Sequence, residues 1–571
     1  MHNIMKYIKK HIKRIALGLS FKFVGTIMNL IIPFLLSYII DEVIPTENIK
    51  LIIILGVVMI LCGLTDWSFN IIGNRNASAV ARDITRELRH DLFTKIITLS
   101  EHQVDELKVP SLVSRMTNDT YNIHNTIGML QRLGIRAPIL LLGGMIITLI
   151  LDPVLSAILI ATLPFICMLV YFVNKKGMPL YGKLQLKVDK LVQTVRETFS
   201  GIRVIKALSK EEYQKQKLKD ANVNVVQSEE VAAKTMAVTS PIMNFILNIG
   251  LVCVILVGAF RVDSNLTEAG KIIAFTTYFT IILNAMMAIT RMFIMISKAS
   301  ASMMRINEVL DYPEDLLTKD YIKQNKDYIT FENVSFSYED IKNNIEDLSF
   351  SIPKGGTVGI IGPTGSGKTT LINLLMRFYD PKCGRIYLDG KDLRSYDEGE
   401  LRSKFGTVFQ QDILFSKTIK ENIVFNRDIS DEMLEKALRV SQAKDFVSKT
   451  SEGLDTVLAQ RGTNLSGGQK QRLLIARALA NNPEILILDD SSSALDYKTD
   501  SLLRKAIMEE YKPTLFIVSQ RISSISNLDL IIVIDKGKAI AMGRHEELLE
   551  TCSLYQDIYK LEVGNYGSTS A

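Results

Sequence analysis

The sequence predicts a multi-domain protein in which an all-α transmembrane domain of six helices precedes an α/β domain. Apolar runs of about 20 residues or more, the length that crosses a bilayer core of about 30 Å, recur in roughly the first 300 residues. After Arg305, short β-rich runs alternate with helical periods, which is the pattern of an α/β fold. The length of 571 residues is also too great for one ordinary core.

Six membrane spans are expected, and their basic flanks orient them. The spans lie at about 16–40, 51–75, 130–151, 153–174, 236–260 and 270–297. Long polar helical stretches join span two to three and span four to five, whereas short segments join the others. Lysine and arginine crowd the N-terminus and both long connections, so the positive-inside rule predicts a multi-pass cell-membrane protein with both termini in the cytoplasm. The first apolar run is too long for a signal-peptide core, so we expect it to be retained.

The expected boundaries are a transmembrane domain at 1–310, a polar linker at 311–326 and an α/β domain at 327–571. The N-terminal "MKYIKKHIKRIAL" predicts a basic amphipathic helix on membrane lipid. The net charge of +6 requires no nucleic-acid partner, because basic residues crowd the flanks that orient the spans. The five cysteines are scattered, which argues against a disulfide framework or a cysteine metal site.

A strand, a glycine-rich loop and a helix follow one another in "TVGIIGPTGSGKTTLINLL". This order is typical of a P-loop, in which backbone amides and a helix N-terminus bind phosphates. Lys368 is expected to neutralise the β- and γ-phosphates, and Thr369 to offer its hydroxyl to Mg²⁺. The alternative, a plain glycine-rich turn, is disfavoured by the flanking strand and helix. The predicted nucleotide contacts are Gly362, Pro363, Thr364, Gly365, Ser366, Gly367, Lys368, Thr369 and Thr370.

A second buried strand, "PEILILD", ends on Asp489, which is expected to help hold Mg²⁺. A buried strand that ends in one aspartate is common by itself. Together with the P-loop, it indicates a site for ATP and Mg²⁺.

The segment "NLSGGQKQR" lies between these two motifs and opens a helix. It resembles the signature motif of ABC transporters, carried here by Leu465, Ser466, Gly467, Gly468 and Gln469. Physically it is a second anion-binding helix start, and a solvent-exposed Ser-Gly helix start is the alternative. It can serve ATP only from across an interface, because the P-loop of the same chain holds the phosphates from the other side. Six spans followed by one nucleotide domain also resemble an exporter half-transporter.

The resemblance implies that two such chains assemble, with each ATP between a P-loop and the opposite signature. It implies that Tyr338 stacks on adenine, although a lone tyrosine is more often half-buried core. It implies that Gln410 reaches Mg²⁺ and senses the membrane domain, and that Asp496 belongs to the D-loop between nucleotide domains. Ser111–Asp119 and Gly201–Leu208 are similar to the segments that carry the two coupling helices.

Two residues depart from the family pattern and are the catalytic candidates. Asp490 stands where the family has the glutamate that polarises the attacking water, and its carboxylate is shorter by about one C–C bond, ~1.5 Å. Gln520 stands where the family has the switch histidine. Glutamine can donate a hydrogen bond to a phosphate oxygen, but it cannot exchange a proton there. Both positions serve the γ-phosphate at the chain's own P-loop, while the signature is intact.

These departures predict the degenerate-site half of a heterodimeric ABC exporter, whose own site binds ATP but hydrolyses it poorly. One alternative is a slow homodimeric exporter that uses Asp490, and another is an ATP-sensing regulatory or gating subunit. The spans exclude a soluble P-loop enzyme, and the fusion of spans and nucleotide domain disfavours an importer.

The expected cargo is a small amphipathic or hydrophobic molecule. Asp66 lies well inside span two, and an ionisable group at that depth is a functional candidate. Two interpretations stay open: it attracts cationic amphiphiles, or it satisfies a helix contact or meets Lys22 of span one.

Overall fold

The structure is a computed structural model, and it describes residues 2–313, 315–316, 327–338, 343–491 and 494–567. The chain divides into two compact units: a membrane unit of Met1–Thr98 and Lys108–Tyr312, and a nucleotide unit of Leu99–Leu107 and Pro313–Ala571. Most of the linker expected at 311–326 lies outside the described residues.

Long helices make up the membrane unit, as the apolar runs predict. The helices of the first half of the chain are α1 (His2–Lys10), α2 (Ile12–Tyr38), α3 (Ile49–Ile97), α4 (Glu101–Leu107), α5 (Val109–Ser114), α6 (Thr120–Leu133), α7 (Arg136–Leu151), α8 (Pro153–Ser200), α9 (Ile202–Ala207), α10 (Glu211–Ala237), α11 (Thr239–Asp263) and α12 (Ala269–Leu310).

Five stretches of helix are long and apolar enough to cross a membrane: Ile12–Thr46, Ile49–Ile97, Val109–Leu151, Glu211–Asp263 and Ala269–Leu310. The fourth expected span lies in α8, whose apolar part among the described residues is the shorter Pro153–Leu169. Helices α8, α11 and α12 share a buried cluster of Leu155, Leu159, Val254, Phe275, Phe279 and Ile282. The protein is therefore a multi-pass membrane protein.

The N-terminal helix is held by polar contacts to α3. The hydroxyl of Tyr7, a residue that is 3% exposed, donates to Asp91 at 2.8 Å. Lys10 donates to Glu87 at 2.8 Å, and Arg14 at the start of α2 donates to Asp83 at 2.9 Å. Part of the basic N-terminus thus pairs with carboxylates of α3, in addition to the contact with lipid that its sequence predicts.

The nucleotide unit is an α/β fold with two sheets. Its strands are β1 (Ile329–Phe336), β2 (Ile345–Ile352), β3 (Thr357–Ile361), β4 (Cys383–Leu388), β5 (Lys391–Asp392), β6 (Phe405–Val408), β7 (Ile485–Asp489), β8 (Thr514–Val518), β9 (Leu530–Asp535) and β10 (Lys538–Gly543). Its helices are α13 (Lys368–Leu375), α14 (Glu398–Ser403), α15 (Ile419–Val424), α16 (Asp431–Val440), α17 (Lys444–Val447), α18 (Gly467–Leu479), α19 (Tyr497–Glu510), α20 (His545–Thr551) and α21 (Ser553–Gly567).

The larger sheet has the order β10-β9-β3-β8-β7-β6, and the smaller antiparallel sheet has the order β2-β1-β4-β5. In the larger sheet β9, β3, β8, β7 and β6 are parallel, and β10 pairs antiparallel with β9. Every residue of β3, β7 and β8 is buried, as expected for parallel strands with both faces covered. This sheet places the carboxyl ends of three neighbouring strands along one edge.

The division of the chain falls close to the first of the two segments that resemble the coupling-helix segments. Ser111–Asp119 forms α5 and a π-helical turn in the membrane unit, where Asp119 pairs with Arg305 of α12. The segment that groups with the nucleotide unit instead is Leu99–Leu107, which contains α4. There the Tyr379 hydroxyl donates to Asp105 at 2.8 Å. The motif that resembles the family thus follows, along the chain, the segment that groups with the nucleotide unit.

Candidate nucleotide-binding site

The predicted phosphate-binding residues meet at the carboxyl edge of the parallel sheet. The P-loop follows β3, Asp490 follows β7, and Gln520 follows β8 after one residue. The register aligns Ile360 and Asp489 with the same residue of β8, Val518, from its two sides. Ligands of parallel sheets bind beyond the carboxyl ends of strands. A cavity of 210 Å³ lies at this edge.

Glycines shape the loop that closes this cavity. Gly362 and Gly367 adopt φ values of 158° and 110°. A Cβ at Gly362 would lie 2.0 Å from the carbonyl oxygen of Ile534, and one at Gly367 would lie 2.5 Å from that of Asn344. Other residues cannot adopt this backbone at such close approach. The loop therefore presents its backbone to the cavity as a phosphate site requires.

Lys368 is the first residue of α13, and its side chain turns back towards the loop. Its ammonium donates to the carbonyl oxygens of Gly362 at 2.9 Å and Pro363 at 2.8 Å. Burial lowers the pKa of Lys368, and the nearby Asp489 and Asp490 oppose that shift. The buried hydroxyl of Ser366 has no hydrogen-bond partner among the described residues. A cation and an unsatisfied donor in one loop fit a bound phosphate chain.

Thr369 and Asp489 form the group that fits Mg²⁺. The Thr369 hydroxyl donates to the Asp489 carboxylate at 3.3 Å, and Asp489 is 2% exposed. Burial raises the pKa of Asp489 to about 6, with a further contribution from the charge of Asp490. Gln410 lines the same cavity. A hydroxyl, a carboxylate and an amide oxygen are hard oxygen ligands of the kind that Mg²⁺ prefers, with waters and phosphates completing the set.

Asp490 and Gln520, the two departures from the family pattern, line this cavity together. Asp490 adopts a left-handed backbone with φ 49°, and its amide donates to the carbonyl of Val518 at 2.9 Å. Its carboxylate accepts a long hydrogen bond of 3.4 Å from the Gln410 amide. The Gln520 side chain is exposed. The structure thus brings together the two residues that the sequence singles out.

Tyr338 lies near the start of α13 at the other side of the P-loop. Its ring meets those of Phe336 and Tyr379 edge to face, with centroids 4.9 and 5.0 Å apart. Its hydroxyl donates to Thr370 at 3.5 Å and accepts from Asn373 at 3.3 Å. Tyr338 is half-buried, which fits the packing role of a core tyrosine and is also compatible with stacking on a base.

The signature forms a second, preorganised helix start. Ser466 is the N-cap of α18 and accepts from the Gln469 amide at 3.3 Å, while the Gln469 side chain accepts from the Ser466 amide at 2.9 Å. This capping box orders the first turn. Leu465–Gln469 are not among the residues that line the P-loop cavity within the described part of the chain.

The D-loop residue also caps a helix. Asp496 is the N-cap of α19 and accepts from the amide of Thr499 at 2.9 Å. That backbone hydrogen bond and a second one from the Thr499 hydroxyl lower the pKa of Asp496. A Cβ added at Gly468 would lie 3.1 Å from the carbonyl of Ala494, so the D-loop packs on the signature glycines.

Some residues of this region were not predicted from the sequence to take part in the site. Asn344 and Ser519 line the cavity. Gln471 donates to the backbone carbonyl of Asp490 at 3.4 Å and accepts from the amide of Ala494 at 3.1 Å. Gln471 lies two residues after Gln469, the last residue of the signature motif, and this proximity is its sequence signal. Gln471 therefore connects α18, the helix that the signature opens, to the backbone of Asp490.

Comparisons with known proteins agree with this architecture. Residues 15–286 match the model of the ABC transporter transmembrane region, and residues 345–493 match the ABC transporter model. An uncharacterized ABC transporter ATP-binding protein of Bacillus subtilis, YfiB, is 33% identical over 100% of both chains. The ABC transporter ATP-binding protein exp8 of Streptococcus pneumoniae, described as putative, is 31% identical over 100% of this chain and 98% of its own.

A solved structure shows the same fold. A bacterial Atm1-family ABC exporter with ATP bound superposes with a TM-score of 0.83 and 23% identity, covering 97% of this chain and 98% of its own. The family model of the nucleotide domain implies ATP binding. From its family matches, its full-length relatives and its fold, this chain belongs to the ABC transporter family, as an exporter-type half-transporter with one membrane domain and one nucleotide-binding domain.

Proposed function

We propose that this chain is the degenerate-site half of a heterodimeric ABC exporter that moves a small amphipathic or hydrophobic molecule out through the cell membrane. One observation carries the proposal. Asp490 and Gln520 replace a glutamate and a histidine within a single cavity whose P-loop is intact. The cavity therefore keeps the groups that bind a nucleotide and lacks the two groups that assist attack on the γ-phosphate.

The binding groups are expected to act on the phosphates. The loop amides and Lys368 hold the β- and γ-phosphates, and the Lys368 ammonium exchanges the carbonyls of Gly362 and Pro363 for phosphate oxygens. Thr369, Asp489 and Gln410 are the residues that would hold Mg²⁺. When bound, Mg²⁺ supplies charge neutralisation between the β- and γ-phosphates. Tyr338 is expected to stack on the adenine.

The hydrolytic step is expected to be slow at this site. A carboxylate that is shorter than that of a glutamate by about 1.5 Å is expected to cost roughly 10²-fold in a step that depends on geometry. Gln520 can still donate a hydrogen bond to a γ-phosphate oxygen, but it cannot accept and return a proton near neutral pH. Asp490 therefore has the negative charge of a glutamate but a shorter side chain. We expect such a site to hold ATP for long periods.

The intact signature supports a partner with a complete P-loop site. In a homodimer both composite sites would contain Asp490 and Gln520. A second half-transporter with glutamate and histidine would instead complete one active site with Ser466–Gln469 of this chain. ATP binding would then close the nucleotide domains, and hydrolysis at the partner's site would reset them.

The first experiment measures Mg·ATP turnover by this chain alone in lipid, with nucleotide binding measured in the same sample. We expect binding with very slow turnover. Brisk turnover that disappears in Asp490→Asn would show that Asp490 is a sufficient base, and the slow homodimeric exporter would replace the heterodimer. Nucleotide-dependent conformational change without vectorial transport, in vesicles that contain this chain and its partner, would favour a regulatory subunit.

Membrane orientation also belongs to the proposal. The basic residues of α1 and of the long connections support cytoplasmic termini. A membrane-impermeant thiol reagent is the test, applied to intact cells and to inverted vesicles with a single cysteine at Lys6. We expect labelling only in the inverted vesicles. Labelling in intact cells would reverse the orientation.

A further inference from the structure

A second cavity, lined by residues other than those of the nucleotide site, lies in the membrane unit. It has a volume of 780 Å³, which is the size of a site for a drug-sized ligand. Its walls come from α7, α8 and α12. Apolar side chains dominate them, including Leu141, Leu163, Met286, Ile289 and Phe293.

Lys175 is the one charged residue in this lining. Its ammonium lies over the ring of Tyr171, 5.8 Å from the centroid, which is a cation–π distance. Among the described residues it forms no ion pair, and its side chain is exposed. The cavity thus contains a cation whose charge no carboxylate of the described chain neutralises.

The cation and the apolar wall lie at different heights along α8. Leu163 and Lys175 both line the cavity and are twelve residues apart in one helix, a rise of about 18 Å. Lys175 directly follows the predicted fourth span, so the sequence places it at the level of the lipid head groups. A ligand with an apolar body and a single charged end matches this arrangement.

A negative charge on the ligand is complementary to Lys175, whereas a cationic amphiphile would need an open carboxylate, for which Asp66 of span two is the candidate from the sequence. Asp66 accepts from Asn29 at 3.2 Å, lies 3.8 Å from Arg136 and also contacts Asn70. Lys22 and Arg136 each donate to the Asn70 carbonyl at 2.7 Å. Asp66 is therefore occupied by two amides and a guanidinium. Of the two interpretations that its sequence allows, the structure favours the helix contact, and it leaves no open carboxylate here to attract a cationic amphiphile.

The geometry points to an anionic amphiphile as the ligand of this cavity: a carboxylate or phosphate on Lys175, with its apolar body against Leu141, Met286 and Phe293. The inference deepens the proposed export function, because it names the chemical class of the cargo. The anion has two sources, a single-chain acid or a phospholipid of the inner leaflet. The test separates them.

The competing explanations make different predictions. A lysine that only extends to the head groups would contribute no selectivity for a ligand. A second copy of the chain that covers the cavity would exclude every ligand. The adjacent Lys176 has the same chemistry, is exposed and does not line the cavity, so it is the matched control.

The experiment places a fluorescent reporter in the cavity. The chain has one tryptophan, Trp67, which is 63% exposed on α3. Phe293→Trp in a Trp67→Phe background leaves a single reporter at the cavity wall. The full chain is reconstituted in phosphatidylcholine nanodiscs and titrated with bromine-labelled dodecanoate or with bromine-labelled dodecyltrimethylammonium. Bromine quenches tryptophan on contact, so the titrations give both affinities without ATP turnover.

We expect the anion to bind at least about tenfold more tightly than the cation, the effect of one hydrogen bond to a charged group. Lys175→Gln should abolish this preference, Lys175→Glu should reverse it, and Lys176→Gln should leave it unchanged. Quenching by bromine-labelled phosphatidylglycerol in the disc would identify the lipid as a source, and quenching by dodecanoate alone would identify a single-chain acid.

Equal affinities for anion and cation, equal losses in the two glutamine variants, or no quenching at all would overturn the inference. Nucleotide binding by the same samples shows that each variant is folded. The quenching measurement requires no ATP hydrolysis. Fast turnover by the chain alone would therefore contradict the proposal that this chain is the degenerate-site half of a heterodimer, and it would not affect the measured preference of the cavity for an anion.

Discussion

The nucleotide domain has two faces that are expected to bind phosphates with the same chemistry, and the residues that depart from the family pattern at the γ-phosphate, Asp490 and Gln520, belong to only one of them. The P-loop face combines glycine backbone, Lys368 and buried Asp489 with a shortened Asp490 and with Gln520. The signature face has its Ser466–Gln469 capping box complete. The comparison predicts that binding and hydrolysis depend on different residues, because the altered positions are those expected to touch the attacking water and the γ-phosphate.

The largest expected effect comes from restoring the altered face. Asp490→Glu with Gln520→His should raise turnover of the chain alone by roughly 10²-fold, because the carboxylate regains about 1.5 Å of reach and the switch regains a titratable ring. Steady-state phosphate release in lipid measures it. Asp490→Gln with Gln520→His is the control, because its glutamine at position 490 has the side-chain length of a glutamate but no negative charge. An unchanged rate in the restored variant would show that Asp490 and Gln520 do not limit hydrolysis at the P-loop face.

The next effect concerns binding at the same face. Lys368→Gln should weaken ATP binding by about tenfold or more, because the phosphates lose a charge-assisted hydrogen bond worth about 1.5–3 kcal/mol. Equilibrium binding of a fluorescent ATP analogue measures it. Lys505→Gln, at an exposed lysine of α19, removes the same charge elsewhere and should leave binding unchanged. Equal affinities in both variants would mean that the P-loop face does not carry the nucleotide.

A third prediction tests the signature face. Ser466→Ala removes the N-cap of α18 and should cost about 1 kcal/mol of domain stability. Ser430→Ala removes the N-cap of α16, where Ser430 accepts from Met433 at 3.2 Å, and should cost a similar amount. In the restored variant only Ser466→Ala should also lower turnover. If both serine variants lower it equally, the signature acts only as a helix start.

The same contrast shows what the sequence could predict. Apolar length predicted the membrane helices, and the order of strand, glycine loop and helix predicted the α/β domain, because both are local properties of the chain. Asp490 and Gln520 were recognised because they stand where the motifs of the family that the chain resembles have a glutamate and a histidine. Leu99–Leu107, Asn344 and Gln471 were not, because their roles arise from contacts across the fold that no local pattern specifies.

The smallest expected effect concerns Glu484, which precedes the strand that carries the shortened carboxylate. It accepts from Lys404 at 2.9 Å, Tyr328 at 2.8 Å and Lys354 at 3.1 Å. The hydrogen bond from Lys404, with those from Tyr328 and Lys354, lowers the pKa of Glu484 to about 2, although burial opposes the shift. A carboxylate with a lowered pKa stabilises the folded state above its unfolded pKa, and this stabilisation is lost as the pH falls towards 2.

Glu484→Gln should therefore lower the unfolding temperature of the nucleotide domain by a constant amount above about pH 5, and the difference should shrink at lower pH. Glu484 is partly exposed, so solvent screening keeps the effect small. Glu509→Gln, at an exposed carboxylate of α19, is the control. Because Glu484 immediately precedes β7 and lies about 16–17 Å along the chain from Asp489 at the other end of the strand, turnover of the restored variant should not change. A difference that grows towards low pH would mean that Glu484 does not stabilise the domain as a carboxylate, and a loss of turnover would mean that the position of Asp490 depends on the whole strand.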